Sequence, residues 1–235
     1  NLVSVEQEAQ VGATFAREIE KKKRLARDPA VRRYVSELGL RLAEALPRSE
    51  FRYRFRVLED PEVNAFNIGG GWIYVNTGLL AAARTEGELV AVLAHEMGHQ
   101  VKRHVAKAIS RDQMFRSLAS FAVGGQSQWV QLAAALGVTT GQLHFGREGE
   151  RQADRVMVDL MLAANYDPRQ ALAMFDTIRR VQGGSRGGGI FSSHPPTKER
   201  AQNVQKLIAQ HRVSGRLASD SRQFHEAKAR VTGRR

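Results

Sequence analysis

The chain has 235 residues, 42% of them hydrophobic, which suits one large globular domain or two small ones. It contains no cysteine, so disulfide frameworks, thiolate metal sites and cysteine nucleophiles are excluded. The net charge of +12 is spread over residues 21–24, 32–33 and 198–235 without interleaved aromatics. That pattern fits a solvated basic face or attraction to an anionic membrane surface, and no nucleic-acid partner is expected.

The chain opens at Asn1 without methionine, the form expected of a mature or trimmed product. Any signal peptide or lipid-bearing cysteine would lie upstream. No apolar run is long enough to span a bilayer. Residues 5–26 read as an amphipathic helix with a charged end. Asp28-Pro29 then provides a cap and a proline in the first turn, predicting a second helix to about Leu46, before Pro47. In the following FRYRFRV, Phe51, Tyr53, Phe55 and Val57 alternate with arginines, the period of a strand with one buried face. Asn64, Ala65 and Phe66, then Gly69-Gly70-Gly71, then Trp72-Ile73-Tyr74-Val75 predict two short strands joined by a tight glycine turn. Thr77 starts a short helix, and Thr85 caps the next one, with Glu88 placed to complete a capping box.

That next helix, within residues 86–104, carries His95, Glu96 and His99 in the pattern H-E-x-x-H. Residues four apart share a helical face, so His95 and His99 can hold one ion together. Leu89, Val90, Val92 and Leu93 are apolar enough to bury the helix. Neutral imidazoles suit Zn²⁺, and a catalytic zinc takes three protein ligands. A carboxylate beside such an ion, here Glu96, can take a proton from water and pass it to a leaving amine. The bland alternative is a buried helix with two satisfied histidines.

Residues 114–138 form two apolar pieces broken at Gly124-Gly125. They read as packing helices or as a lid or membrane-touching hairpin. A helix is expected from about Arg147 to Asn165, another over 168–182, a flexible glycine-rich loop over 183–193, a helix begun near Thr197, and a last one over 220–231. The third zinc ligand should come from a separate helix. Glu150 is the best candidate and Glu148 its competitor. Asp154, one turn after Glu150, favours Glu150, because it can hold the far nitrogen of a ligand histidine.

HEMGH followed by ERQAD resembles the gluzincin metallopeptidases. NAF…GGGWIYVNTGLL, ELVAVLAHEMGH, REGERQAD, NYDP and SSHPPTKER, in that order, resemble the CAAX prenyl protease and HtpX-like family, in its soluble bacterial branch. The resemblance implies an α+β, mostly helical zincin-like domain with a small antiparallel sheet beside the metal helix. It implies one Zn²⁺ on His95, His99 and Glu150, Glu96 as general base and acid, and Asp154 behind the ligands. Asn64, Ala65 and Phe66 would form a substrate-binding strand edge, with Gly70, Gly71, Trp72 and Ile73 as the adjoining edge. His194 matches a histidine able to approach and block the zinc, or it is a helix-capping surface residue. Arg200 anchors its segment or assists substrate. Gly69 replaces a common proline, which would loosen the turn, and Asn165 replaces a common glycine.

The expectation is therefore a single domain over residues 1–235: N-terminal helices (1–46), sheet (51–76), catalytic helices (77–182), glycine-rich loop (183–193) and basic helical end (194–235). Its function would be that of a zinc endopeptidase acting on protein or peptide substrates in envelope quality control. It would lie in the bacterial periplasm or at the envelope membrane, with possible membrane-surface or envelope-protein contacts. The competing reading is a chaperone-like binding module with little proteolysis.

Overall fold

The computed structural model describes residues 3–116, 143–182, 193–195, 197–211 and 215–233. Helix α1 (Val5–Lys22) starts at a capping box in which Ser4 and Gln7 satisfy each other's backbone N–H. It ends earlier than the charge pattern suggests, because residues 24–26 extend and pair with the sheet: Ala26 N donates to Val57 O, and Glu59 N to Arg24 O, both at 2.8 Å. Helix α2 (Pro29–Glu44) begins at Asp28, which accepts from Ala30 N, with proline in the first turn.

Strands β1 (Arg54–Leu58), β2 (Ala65–Asn67) and β3 (Trp72–Asn76) form one sheet in the order β1-β3-β2. The glycine turn folds β2 and β3 into an antiparallel pair, as expected, but β1 joins β3 in parallel. The sheet is thus mixed. The link from β1 to β2 reverses the chain but leaves a strand's width between them, and β3 fills it. Both faces are buried. Ile73 and Val75 lie in the core that contains the metal-motif helix, while Tyr74, with Phe66 and Leu58, packs beneath α1 against Phe15 and Ile19. Outside, the guanidinium groups of Arg54 and Arg56 stand over the Trp72 ring at 4.9 and 5.5 Å.

Helix α3 (Thr77–Ala82) leads into α4 (Glu86–Val101). Every residue of α4 from Glu86 to Gln100 is buried, which requires partners on all sides. Thr85 caps it, accepting from Glu88 N. The expected return from Glu88 goes one residue further back, to Arg84 N at 2.9 Å, because the Arg84 guanidinium and Thr177 also hold the Glu88 carboxylate. After α5 (His104–Arg116), α6 (Gly146–Ala163) packs along α4, followed by α7 (Arg169–Gln182), α8 (Lys198–Gln210) and α9 (Arg222–Thr232). Asn165 ends α6 at φ 62°, a conformation asparagine tolerates. Of the two apolar pieces expected over residues 114–138, residues 114–116 end α5 and the rest lies outside the described residues, as does the glycine-rich loop up to residue 192. Among the described residues, no helix is long and apolar enough to cross a membrane.

Candidate metal centre

Close contact between α4 and α6 builds the site. A Cβ on Gly98 would lie 2.7 Å from Ala153 O, so the absence of a side chain there lets the two backbones approach. His95, Glu96 and His99 from α4 then face Glu150 and Asp154 from α6. His194 enters from the segment before α8, and Arg200 from the first turn of α8. All seven are at least 93% buried, Arg200 being the most open at 7% exposed.

Ligand atoms of His95, His99, Glu150 and His194 all lie within 4.8 Å of one another. His95 Nε2 is 3.0 Å from His99 Nε2 and 3.3 Å from His194 Nδ1. Glu150 Oε2 lies 3.4 Å from His95 Nε2, and Glu150 Oε1 lies 3.4 Å from His99 Nε2 and 2.8 Å from His194 Nδ1. Zinc–nitrogen bonds of about 2.0–2.1 Å in a tetrahedron separate ligand atoms by about 3.3 Å. These residues fit such an ion. Glu96 supports the fit: its Oε2 accepts from Asn67 N at 2.9 Å, while its Oε1 is buried without a hydrogen bond, 3.5 Å from His194 Nε2. Glu150 Oε2 likewise accepts no hydrogen bond, although Arg200 Nη1 stands 2.9 Å away, out of line.

Charge is arranged in two layers. His95 Nδ1 lies 3.0 Å from Asp154 Oδ1, and Arg200 grips Asp154 with two bonds of 2.6 and 2.9 Å. Burial and the Arg200 cation pull the His95 pKa down, but Asp154 and Glu150 outweigh them and hold it up at about 9. Burial pushes His99 well below the ordinary histidine value and Glu96 above the ordinary carboxylate value. Burial also acts to raise Glu150 and Asp154, but His194 holds Glu150 low, and Arg200 does the same for Asp154. Arg200 Nη1 also donates to His194 O at 3.1 Å, so its guanidinium is committed to holding this segment.

The substrate-edge expectation needs correction. Trp72 and Ile73 belong to β3, the central strand, whose two sides are taken by β1 and β2. No added strand can pair there. Gly70 lies under α1, where a Cβ would meet Glu8 O at 2.8 Å, and Gly71 lies against the segment before β1, where a Cβ would meet Arg52 O at 2.6 Å. Gly69 adopts φ 85°, closed to proline, and its N–H donates to Asn67 Oδ1. The turn is therefore held rather than loosened. Of the two edge strands, β1 is bridged at Leu58 by Leu25, and among the described residues no strand pairs on the outer side of β2. There, residues 64, 66 and 68 face β3, and the backbone groups of Ala65 and Asn67 point away from it, Asn67 N toward Glu96.

Sequence reasoning missed Asn67, Phe145, His104 and Gln152. Phe145 stacks on the His99 ring at 4.2 Å. His104 meets His99 through Nδ1···Nδ1 at 2.8 Å and reaches Gln152 Oε1 through Nε2 at 3.2 Å. A histidine five places after His99 is off its helical face. It returns because Arg103 takes φ 53° between α4 and α5, a break not marked by glycine or asparagine. Glu148 is exposed, paired with Arg151 and Gln152, and lies apart from the cluster.

A buried H-E-x-x-H helix whose histidines meet a glutamate from a second helix defines a metallopeptidase-type domain. Residues 29–208 match the family described as Peptidase family M48, and the chain belongs to that family. It is 27% identical to the beta-barrel assembly-enhancing protease of Escherichia coli (strain K12), over 98% of this chain and 49% of the relative. It is 32% identical to the mitochondrial metalloendopeptidase OMA1 of Schizosaccharomyces pombe, over 82% of this chain and 57% of that protein. To the metalloprotease LoiP of Escherichia coli (strain K12) it is 29% identical, over 66% and 62%. The chain spans about half the length of the beta-barrel assembly-enhancing proteases it matches.

Proposed function

We propose that this chain is the peptidase domain of a zinc-dependent endopeptidase acting on protein substrates of the cell envelope. The observation that carries this reading is the buried convergence of His95, His99 and Glu150 beside a Glu96 oxygen that has no hydrogen-bond partner. His95, His99 and Glu150 would hold the ion. Bound there, zinc supplies Lewis acidity that polarises a carbonyl and acidifies water. Glu96, fixed through Asn67 N, takes the proton of the attacking water with Oε1 and returns it to the leaving amine. Substrate would lie extended against the outer side of β2, where Ala65 offers backbone groups for strand addition. Relatives named for beta-barrel assembly support the envelope, and outer-membrane barrels within it, as the place of action. The binding-module reading gains nothing from relatives named as proteases.

His194 adds latency. A fourth protein ligand closes a zinc site that catalysis needs open, and His194 Nδ1 stands within 3.3 Å of both His95 Nε2 and Glu150 Oε1. The described arrangement is thus read as a resting form, released when the segment held by Arg200 withdraws. Elemental analysis and cleavage of an unfolded protein, for wild type, Glu96→Gln and His194→Ala, test both points. One zinc per chain, cleavage lost in Glu96→Gln and accelerated in His194→Ala are expected. Stoichiometric zinc without cleavage by wild type or His194→Ala would favour a binding role, and absence of zinc would sink the metal reading.

A further inference from the structure

The two α4 histidines of the cluster are backed in different ways. His95 leans on the anionic Asp154. Among the described residues, no carboxylate meets the far side of His99, which instead faces His104, then the Gln152 amide, and only beyond them the Glu148 carboxylate on the surface. We infer that His104 and Gln152 are positioning residues that fix the tautomer and ring plane of His99 through a one-way hydrogen-bond relay ending at Glu148. This rests on the metal reading above.

The direction follows from the contacts. His99 Nε2 faces the cluster, 3.0 Å from His95 Nε2 and 3.4 Å from Glu150 Oε1, so holding an ion leaves its proton on Nδ1. That N–H then donates to His104 Nδ1 at 2.8 Å. His104 must therefore carry its own proton on Nε2, which donates to Gln152 Oε1 at 3.2 Å. The amide of Gln152 is oriented independently, because its Nε2 donates to Glu148 Oε1 at 3.0 Å. Each link admits one orientation once the first is set. Phe145 closes the box, stacked on His99 at 4.2 Å and tilted against His104 at 5.5 Å. A Cβ on Gly149 would lie 2.9 Å from Phe145 Cβ and 3.6 Å from His104 Cε1, so the glycine of α6 leaves the room that these two side chains fill.

Outer hydrogen bonds of this kind orient a ligand imidazole and raise its basicity, and losing one costs about 10- to 100-fold in metal affinity. A neutral partner leaves His99 without the added anion that His95 receives. The relay also spans α4, α5 and α6, so the ligand's orientation depends on how the start of α5 sits on α6.

The test is zinc affinity by competition with a chromophoric chelator, together with histidine ¹⁵N NMR of the zinc-loaded wild type. His104→Leu should weaken zinc by about 10- to 100-fold. His104→Asn, whose carbonyl oxygen can replace Nδ1 as acceptor, should recover most of that loss. Gln152→Leu, on a partly exposed helix face, should weaken zinc less and in the same direction. The spectra should show His99 protonated at Nδ1 and His104 at Nε2. Unchanged affinity in both leucine variants, equal losses in His104→Asn and His104→Leu, or a proton on His104 Nδ1 would overturn the relay. If His104→Leu does not fold, Gln152→Leu and the wild-type spectra still decide. Failure of wild type itself to bind zinc would be a different result, overturning the metal reading beneath it.

Discussion

Arg200 and Asp154 form a two-pronged ion pair in the core, with Nε–Oδ2 at 2.9 Å and Nη2–Oδ1 at 2.6 Å. The pair joins α8 to α6, and the same guanidinium holds the backbone oxygen of His194. One contact set thus connects the carboxylate behind His95 to the segment that brings His194 to the cluster.

Breaking this pair from one side strands a buried charge. Arg200→Gln should lower stability by about 3–5 kcal/mol, while the double variant Arg200→Gln/Asp154→Asn should lose less than the sum of the single losses. Urea denaturation of the four proteins in a cycle measures the coupling. Additive losses would mean that the two side chains act independently.

Glu8, in α1 and outside the family-matched residues, is 3% exposed. It accepts from Gln100 Nε2 and Arg103 Nε, both at 2.8 Å, and Gln100 Oε1 in turn accepts from Gly71 N at 3.1 Å. Helix α1 thereby bears on the turn between β2 and β3, and through Asn67 on Glu96. Glu8→Ala leaves buried donors unpaired and should cost about 2–3 kcal/mol. Because β2 loses its support and Arg103 loses one of the contacts that hold its positive φ, cleavage should show a raised KM, and zinc should bind more weakly, by less than in His104→Leu. Unchanged KM and zinc affinity would show that Glu8 bears on neither β2 nor the centre.

What could be read in the sequence was whatever depends on neighbours along the chain. The caps at Asp28, Thr85 and Thr197 each act through local side-chain-to-backbone bonds, and residue chemistry alone announces them. The spacing of His95 and His99, or of Glu150 and Asp154, is a helical repeat and is equally local. Strand order was not legible: nothing in the alternation of residues 51–57 says that β3 will insert between β1 and β2. His104 was hidden for another reason. Its return to His99 needs Arg103 at positive φ, and arginine carries no signal for that conformation; the long contacts from Arg103 to Glu8 and Val3 O hold it there.

Asp60 gives a pH dependence away from the metal centre. Burial acts to raise its pKa, but the hydrogen bond from Lys23 and that from Glu62 N outweigh it, so the net shift is downward. A carboxylate with a lowered native pKa contributes stability above its unfolded value, and that contribution fades as pH falls through the native value. With Lys23 and Asp60 partly exposed, the effect is about 1 kcal/mol or less. In chelator throughout, wild type should therefore exceed Asp60→Asn in urea midpoint at pH 7, and the gap should close in acid. A gap independent of pH would assign the difference to lost hydrogen bonds alone.

Gly98 tests whether the centre depends on helix spacing rather than on the ligands alone. A methyl group there would lie 2.7 Å from Ala153 O and 2.9 Å from Ala153 Cα, against backbone that cannot rotate aside. Alanine favours a helix over glycine by about 0.8–1.0 kcal/mol, which would stabilise α4 in isolation. Overpacking typically costs about 1–3 kcal/mol, and relief requires α6 to move off α4, carrying Glu150 away from His95 and His99. Gly98→Ala should therefore lower thermal stability despite its better helix propensity. It should also weaken zinc binding, though no ligand has been changed. Scanning calorimetry with and without zinc separates the two effects: the zinc-induced rise in Tm should shrink in the variant. A variant as stable as wild type with an undiminished zinc response would mean that the helices can part without disturbing the ligands.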